Sequence, residues 1–114
     1  MRETLTPRER IRKKKDFLVL YKRGNRYRGR YFNLVYLPNN QAFSRMAVVV
    51  SKKVGNAVVR NKIKRWTRDL FRRNKNLLKT HLDLILVAKE DILEASWAVY
   101  RQEYFFALKS ICRK

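Results

Sequence analysis

Apolar residues recur along this chain at spacings that alternate between those of a helix and those of a strand, and each change marks an element. Phe17, Leu20 and Tyr21 share one side of a short helix from Lys14 to Arg23, with Asp16 near its start, where a carboxylate favours the helix dipole, and Gly24 as its stop. Arg30 to Leu37 is aromatic and β-branched, the composition of a strand, and the polar link Asn25 to Gly29 before it has room for a short strand of its own. Pro38, Asn39 and Asn40 make a turn. Met46 to Val50 is a continuous apolar run too short for a helix, which predicts a buried central strand paired with its predecessor as a hairpin.

The next segment, 57 to 74, is a helix with two unlike faces. At about 100° per residue, Val59, Ile63, Trp66 and Leu70 fall on one stripe, while Asn61, Lys64, Arg65, Arg68 and Arg72 fall opposite. A second apolar run, Leu82 to Ala88, follows this helix and is expected to lie parallel in the same sheet. From Ile92 to Ile111, steps of three and four connect Leu93, Trp97, Tyr100, Tyr104, Leu108 and Ile111 into a last helix. The layout is helix, two or three antiparallel strands, helix, strand, helix: an α+β sandwich forming one domain over 1–114 with no internal repeat.

Charge decides what the polar face is for. The 114 residues include 29 Lys plus Arg against 9 Asp plus Glu, a formal net charge of +20, and the pI is near 10.9. A disordered basic tail is excluded by 46% hydrophobic and 12% aromatic residues with only three Gly and two Pro. Residues 1 to about 13 are a basic arm with little apolar periodicity, expected to stay flexible until an acidic partner orders it. A membrane-surface helix would carry a broad exposed apolar face, whereas the stripe at 59 to 70 is sized for a core. Nucleic acid is the partner that fits a regular row of cations. No apolar run reaches the roughly 18 to 20 residues of a membrane span. The apolar patch after the basic start is only Phe17 to Tyr21, and the single Cys112 forms no internal disulfide, so a cytoplasmic location is expected.

The chain offers little chemistry of its own. Its carboxylates, Glu3, Glu9, Asp16, Asp69, Asp83, Glu90, Asp91, Glu94 and Glu103, are scattered over different elements, against the clustering that a metal-dependent nuclease needs. Glu90, Asp91 and Glu94 come together at the predicted start of the last helix, where acidic residues serve capping and the helix dipole. His81 is the only histidine, which rules out a His pair, and Ser51 and Ser110 have no evident base. The Val-Gly-Asn-Ala turn lacks the spacing of a phosphate-binding P-loop.

RMAVVVSKKVGNAVVRNKIKRWTRDLFR, from Arg45 to Arg72, resembles the signature of the bacterial ribonuclease P protein subunit: a strand, a Lys-Lys-x-Gly-Asn-Ala turn and a basic helix of the Arg-Asn-Arg type. The likeness extends to KKDFLVLYKRG, RYFNLVYL and LDLILVAKE, covering nearly the whole chain. The resemblance implies an α+β sandwich of order α-β-β-β-α-β-α with a mixed four-stranded sheet, like a ribosomal protein domain and translocase domains, and a left-handed βαβ crossover that general rules of connection would not predict. It also implies the protein component of an endoribonuclease whose catalytic centre, using Mg²⁺, lies in an RNA subunit. The implied partners are that RNA and the single-stranded 5′ leader of precursor tRNA, with no metal bound tightly by the protein and no catalytic residue in it.

Residue roles follow from the same resemblance. Lys52, Lys53, Asn56, Arg60, Asn61, Lys62, Lys64, Arg65, Arg68 and Arg72 match the turn and basic helix that face the catalytic RNA. Lys62 stands where arginine is frequent, which keeps the charge and loses bidentate phosphate geometry. Phe17 and Tyr21 match aromatic positions of the leader cleft between the first helix and the sheet, with packing into the core as the alternative. Phe32, Tyr36, Ser51 and Lys53 either line the same cleft or serve the fold. A ribosomal-type or RNA-chaperone protein, binding RNA without a processing role, is the competing reading.

Overall fold

A computed structural model describes residues 9–78 and 80–112, residue 76 by its backbone alone. Helix α1 (Lys14–Arg23) is followed by strands β1 (Asn25–Arg28), β2 (Phe32–Pro38) and β3 (Arg45–Val49), helix α2 (Ala57–Arg73), strand β4 (Leu82–Ala88) and helix α3 (Trp97–Ile111). The sheet runs β1-β2-β4-β3, with β4 antiparallel to β2 and parallel to β3. Among the described residues no helix is long and apolar enough to cross a membrane.

The predicted element order holds, and so does the parallel placing of β4. The hairpin of β2 with β3 does not form, because β4 lies between them. β3 is therefore a flank of the sheet rather than its centre: its apolar run lacked the information of which strand would become fully enclosed. Leu84, Ile85 and Leu86 of β4 are buried on both faces, as are Leu34, Val35 and Tyr36 of β2 beside it. The short strand expected in the polar link is β1, paired along Asn25 to Arg28 with Tyr36 to Asn33.

Strand alternation splits the sheet into two faces. Phe32, Leu34, Tyr36, Leu84 and Leu86 pack with Ile63, Leu70 and Phe71 of α2 and Tyr100, Tyr104 and Leu108 of α3. On the other face Val35 and Ile85 pack under Leu20 of α1 and Ile11. Gly24 ends α1 because there is no room for a side chain: a Cβ there would sit 2.5 Å from the Leu20 carbonyl and 2.8 Å from Val35.

Two terminal expectations need correction. Of the arm expected to be flexible over residues 1 to about 13, residues 1–8 lie outside the described residues, and 9–11 are held in place. Ile11 donates its N–H to the Met46 carbonyl at 3.0 Å, Arg10 bridges to Met46 beside β3, and Glu9 and Ile11 are buried. Glu9 accepts from Lys75 Nζ at 2.5 Å, so a carboxylate and an isoleucine anchor a segment that composition marked only as basic. The acidic residues Glu90, Asp91 and Glu94 lie on a separate 3₁₀ turn, Glu90–Glu94, and α3 starts later, at Trp97. Its cap is Ser96, whose Oγ accepts the Val99 N–H at 3.2 Å.

Candidate nucleic-acid interface

The two-faced helix is built as its periodicity predicts. Asn56 caps it, its Oδ1 accepting the Val59 N–H at 3.0 Å. Ile63 and Leu70 are buried and Val59 and Trp66 pack against the same core, joined by Thr67 and Phe71. With that side anchored, the cationic side points outward. Asn61, Lys64, Arg65, Arg68 and Arg72 line a groove of about 410 Å³, and Arg10 completes it from the segment beside β3.

Electrostatics in this groove are one-sided. Among the described residues Asp69 is the only carboxylate lining it, and it is engaged by Arg72 and, at 3.0 Å, by Arg73. Burial, and then the nearby charge of Arg10, push the Arg68 guanidinium below its ordinary value. The Nε atoms of Arg10 and Arg72 are buried without a hydrogen-bond partner among the described residues. An anion entering the groove would relieve the repulsion and supply acceptors together. Arg10 was not among the sequence candidates, because nothing in its local spacing indicates that the chain returns to α2; the cations beside it were the only signal.

The remaining candidates of this group lie outside the groove. Lys62 leans to the other flank of α2, with Nζ 4.8 Å from the centre of the Trp66 ring. Arg60 is half-buried, its Nε also without a partner. Ser51, Lys52 and Lys53 are exposed on the turn ahead of α2, which buried Val54 fixes by donating its N–H to the Ser51 carbonyl at 3.1 Å.

The α1 side of the sheet forms a second surface. Phe17 is half-buried against Val35 and Ile85, whereas Tyr21 is 39% exposed. Phe32 and Tyr36 do not share this surface. They lie on the opposite face, Phe32 1% exposed and edge-on to Tyr100 with ring centres 5.6 Å apart, Tyr36 6% exposed in the same core. Alternation is the reason: Asn33, Val35 and Leu37 are the β2 residues that face α1. The register aligns Arg28, Asn33, Val87 and Val49 in one row across all four strands. Asn33 Oδ1 is buried without a hydrogen-bond partner among the described residues, and a cavity of about 420 Å³ beside it is lined by Arg26, Arg28 and Lys89. The period-two pattern of YFNLVYL, with Phe32, Leu34 and Tyr36 in phase, was the signal that placed those aromatics inward. A third cavity, about 220 Å³, touches Phe17, Ala47, Arg12 and Arg68, and Arg10 lines both it and the groove.

Among the described residues no three His, Cys, Asp or Glu side chains come together as a metal site. The groove's donor set suits anions: its one carboxylate is already engaged by two arginines.

Comparison with known proteins agrees with this geometry. The family model for Ribonuclease P matches residues 5–112. The "Ribonuclease P protein component" of Thermotoga maritima is 38% identical over 94 residues, 82% of this chain and 80% of the relative. That of Syntrophus aciditrophicus is 40% identical over 95 residues, 83% of this chain and 80% of the relative. Among solved structures, the Thermotoga maritima RNase P protein superposes with a TM-score of 0.80 at 33% identity, covering 90% of this chain and 96% of that one. The Staphylococcus aureus RNase P protein gives 0.85 at 33% identity, covering 90% and 94%. By sequence and by fold, then, this chain belongs to the ribonuclease P protein family, the RNA-binding protein components of a tRNA-processing endoribonuclease.

Proposed function

We propose that the α2 groove docks this chain on the catalytic RNA of ribonuclease P and that the α1 side of the sheet holds the single-stranded 5′ leader of precursor tRNA during its endonucleolytic removal. The observation that carries this reading is the convergence of Arg10 with Lys64, Arg65, Arg68 and Arg72 on one groove where Asp69 is the single carboxylate among the described residues. Phosphates fit those partners, and phosphate contacts set position and register without reading sequence.

The leader runs past Phe17 and Tyr21 and over the row Val49, Val87, Asn33 and Arg28, with Lys53 and Ser51 at the turn end. Phe32 and Tyr36 support that floor from beneath. Stacking on an aromatic face contributes about 1 to 3 kcal/mol per base and tolerates any sequence, which suits an enzyme that meets many leaders. Leader contacts add affinity for precursor over mature tRNA, since the mature product no longer carries the leader.

The chemistry belongs to the RNA subunit in this reading. Mg²⁺ supplies metal-ion catalysis there, while this chain binds, orients and offsets phosphate charge, lowering the Mg²⁺ concentration that folding and cleavage require. The site of action is the cytoplasm.

The test is cleavage of precursor tRNA at low Mg²⁺ with and without a bacterial ribonuclease P RNA. Cleavage that needs the RNA and is enhanced by this chain is the expected result. Binding without enhancement would leave the RNA-chaperone reading standing, and cleavage by the protein alone would overturn both.

A further inference from the structure

The flank of α2 away from the Arg10 groove carries a second, differently built surface. Val58, Lys62 and Trp66 follow one another at intervals of four, one ridge of the helix. Val58 is 77% exposed, Lys62 is exposed, and Trp66 is half-buried. Trp97, the first residue of α3, packs against Trp66 with ring centres 5.1 Å apart, yet stays 37% exposed. Behind them Tyr100 stacks on Trp66 at 5.9 Å and 29° and is itself buried. The result is an aromatic cluster fixed from within by Tyr100 and open at Trp97, with Lys62 beside Trp66.

Packing alone does not account for Trp97. A core position would enclose it, and a solvated position would more often carry a polar side chain. A cation stands at the cluster itself: Lys62 Nζ lies 4.8 Å from the centre of the Trp66 ring, with Arg65 three residues further along the same helix, while the acidic turn Glu90–Glu94 ends shortly before Trp97 in the chain. An occupant should combine a flat π-face with negative charge nearby. That describes a nucleotide, whose base stacks while its phosphate meets an ammonium.

We infer that Trp97, backed by Trp66 and Tyr100 and assisted by Lys62, is a stacking platform for an unpaired base of RNA lying along α2. This rests on the RNA-binding role proposed above but not on the leader cleft, which lies on the other face of the sheet. It gives the basic helix two modes of contact: phosphates in the groove and one base on the flank. The base is held by its face, so the platform selects single-stranded or bulged RNA over a paired helix, whose bases are already stacked.

Trp66 and Trp97 are the only tryptophans in the chain, so intrinsic fluorescence of the full-length protein reports on this surface directly. The probes are a short oligoadenylate and an abasic ribose-phosphate strand of the same length, with binding followed independently by anisotropy of an end label. Both strands should bind, and only oligoadenylate should quench the tryptophans. Trp97→Ala should weaken oligoadenylate binding about tenfold and leave the abasic strand unaffected, while Trp97→Phe retains most of the preference. Lys62→Ala, which leaves the aromatic cluster in place, should weaken both strands alike. Thermal melting of each variant separates loss of fold from loss of contact.

Equal quenching by the two strands, or unchanged oligoadenylate affinity in a folded Trp97→Ala chain, overturns the platform. A blue shift that grows with protein concentration in the absence of RNA also overturns it, in favour of a second copy of the chain. Failure here with RNA-dependent cleavage intact removes the platform alone; quenching without any enhancement of cleavage removes the processing role and keeps the platform.

Discussion

Arg45 holds Asp83 by two parallel hydrogen bonds, Nε to Oδ1 at 2.9 Å and Nη2 to Oδ2 at 2.6 Å, across the register of β3 and β4. Asn39 Nδ2 donates to the same Oδ1 at 2.7 Å, and Arg45 Nη1 reaches Asp16 of α1 at 3.5 Å. Hydrogen bonding to Asp83 is the main reason the Arg45 guanidinium binds its proton more tightly than usual. One arginine thus ties the flanking strand, the central strand and α1 together at one end of the sheet. Asp83→Ala should cost about 2 to 4 kcal/mol, because it leaves a largely buried guanidinium without its fork partner. Urea denaturation gives the number; a loss under about 1 kcal/mol would show that the pair is no stronger than a surface one.

Alkaline pH should unfold the chain through its core. Burial drives the Tyr100 and Tyr104 phenols well above their ordinary value of 10.0. The folded state therefore keeps both protons at a pH where an unfolded chain releases them. The sign follows: their contribution is fully present below about pH 10 and is lost as pH rises beyond it, at up to about 1.4 kcal/mol per pH unit for each. Urea midpoints between about pH 9 and pH 11 measure the slope. Tyr100→Phe should reduce it, and an identical slope in that variant would assign the alkaline loss elsewhere.

Groove arginines should be visible in the salt dependence of RNA binding. Contact with six to ten phosphates implies a fall in affinity of about 10³ to 10⁵ between about 50 and 200 mM salt. Arg68→Gln and Arg10→Gln should each lower the slope of log affinity against log salt by about 0.7 to 0.9. Asp69→Asn should do the opposite to affinity, since it removes the only carboxylate that lines the groove among the described residues and releases two arginines. A flat salt profile for the unaltered chain would dispose of the electrostatic mechanism.

For the leader, Phe17→Ala combined with Tyr21→Ala should weaken precursor tRNA more than mature tRNA when the chain is bound to the catalytic RNA. Asn33→Leu belongs in the same series, because Asn33 lines a cavity with Arg26, Arg28 and Lys89 and its Oδ1 has no hydrogen-bond partner among the described residues. Equal weakening of both tRNAs would assign the two aromatics to packing. Melting temperatures distinguish that case: Tyr21, 39% exposed, contributes little to the core, so a large loss of stability from Tyr21→Ala alone would contradict its placement.

Local patterns carried the elements well. The helix from Lys14 to Arg23 and its glycine stop, the two faces of α2 and the run Leu82–Ala88 are all set by neighbours within one or two turns of chain, which is the range that periodicity senses. What periodicity missed depends on partners distant in sequence. Met46 to Val50 is apolar enough for a central strand, but centrality belonged to β4, which arrives more than thirty residues later. Arg10 joined the groove only because Glu9 and Ile11 fasten its segment across the molecule. Lys62 and Lys64 are equally basic; a turn of the helix and the Trp66 ring sent them to different flanks. For Phe32 and Tyr36, residue type suggested a cleft, and the phase of the strand decided against it.

The position of β4 also governs the order of assembly. As the chain emerges during synthesis, β2 and β3 are complete before residue 50, yet they share no edge. The strand that must separate and join them has not been made until residue 88. Until then the nascent chain holds one small hairpin, β1 with β2, and an apolar strand whose other edge has only the Arg10–Ile11 segment to bridge to. Insertion of β4 is a long-range closure, the kind of contact that slows folding. During that wait the +20 charge has a second use, because it keeps copies of the chain, and the β3 edges that β4 has yet to cover, from finding one another.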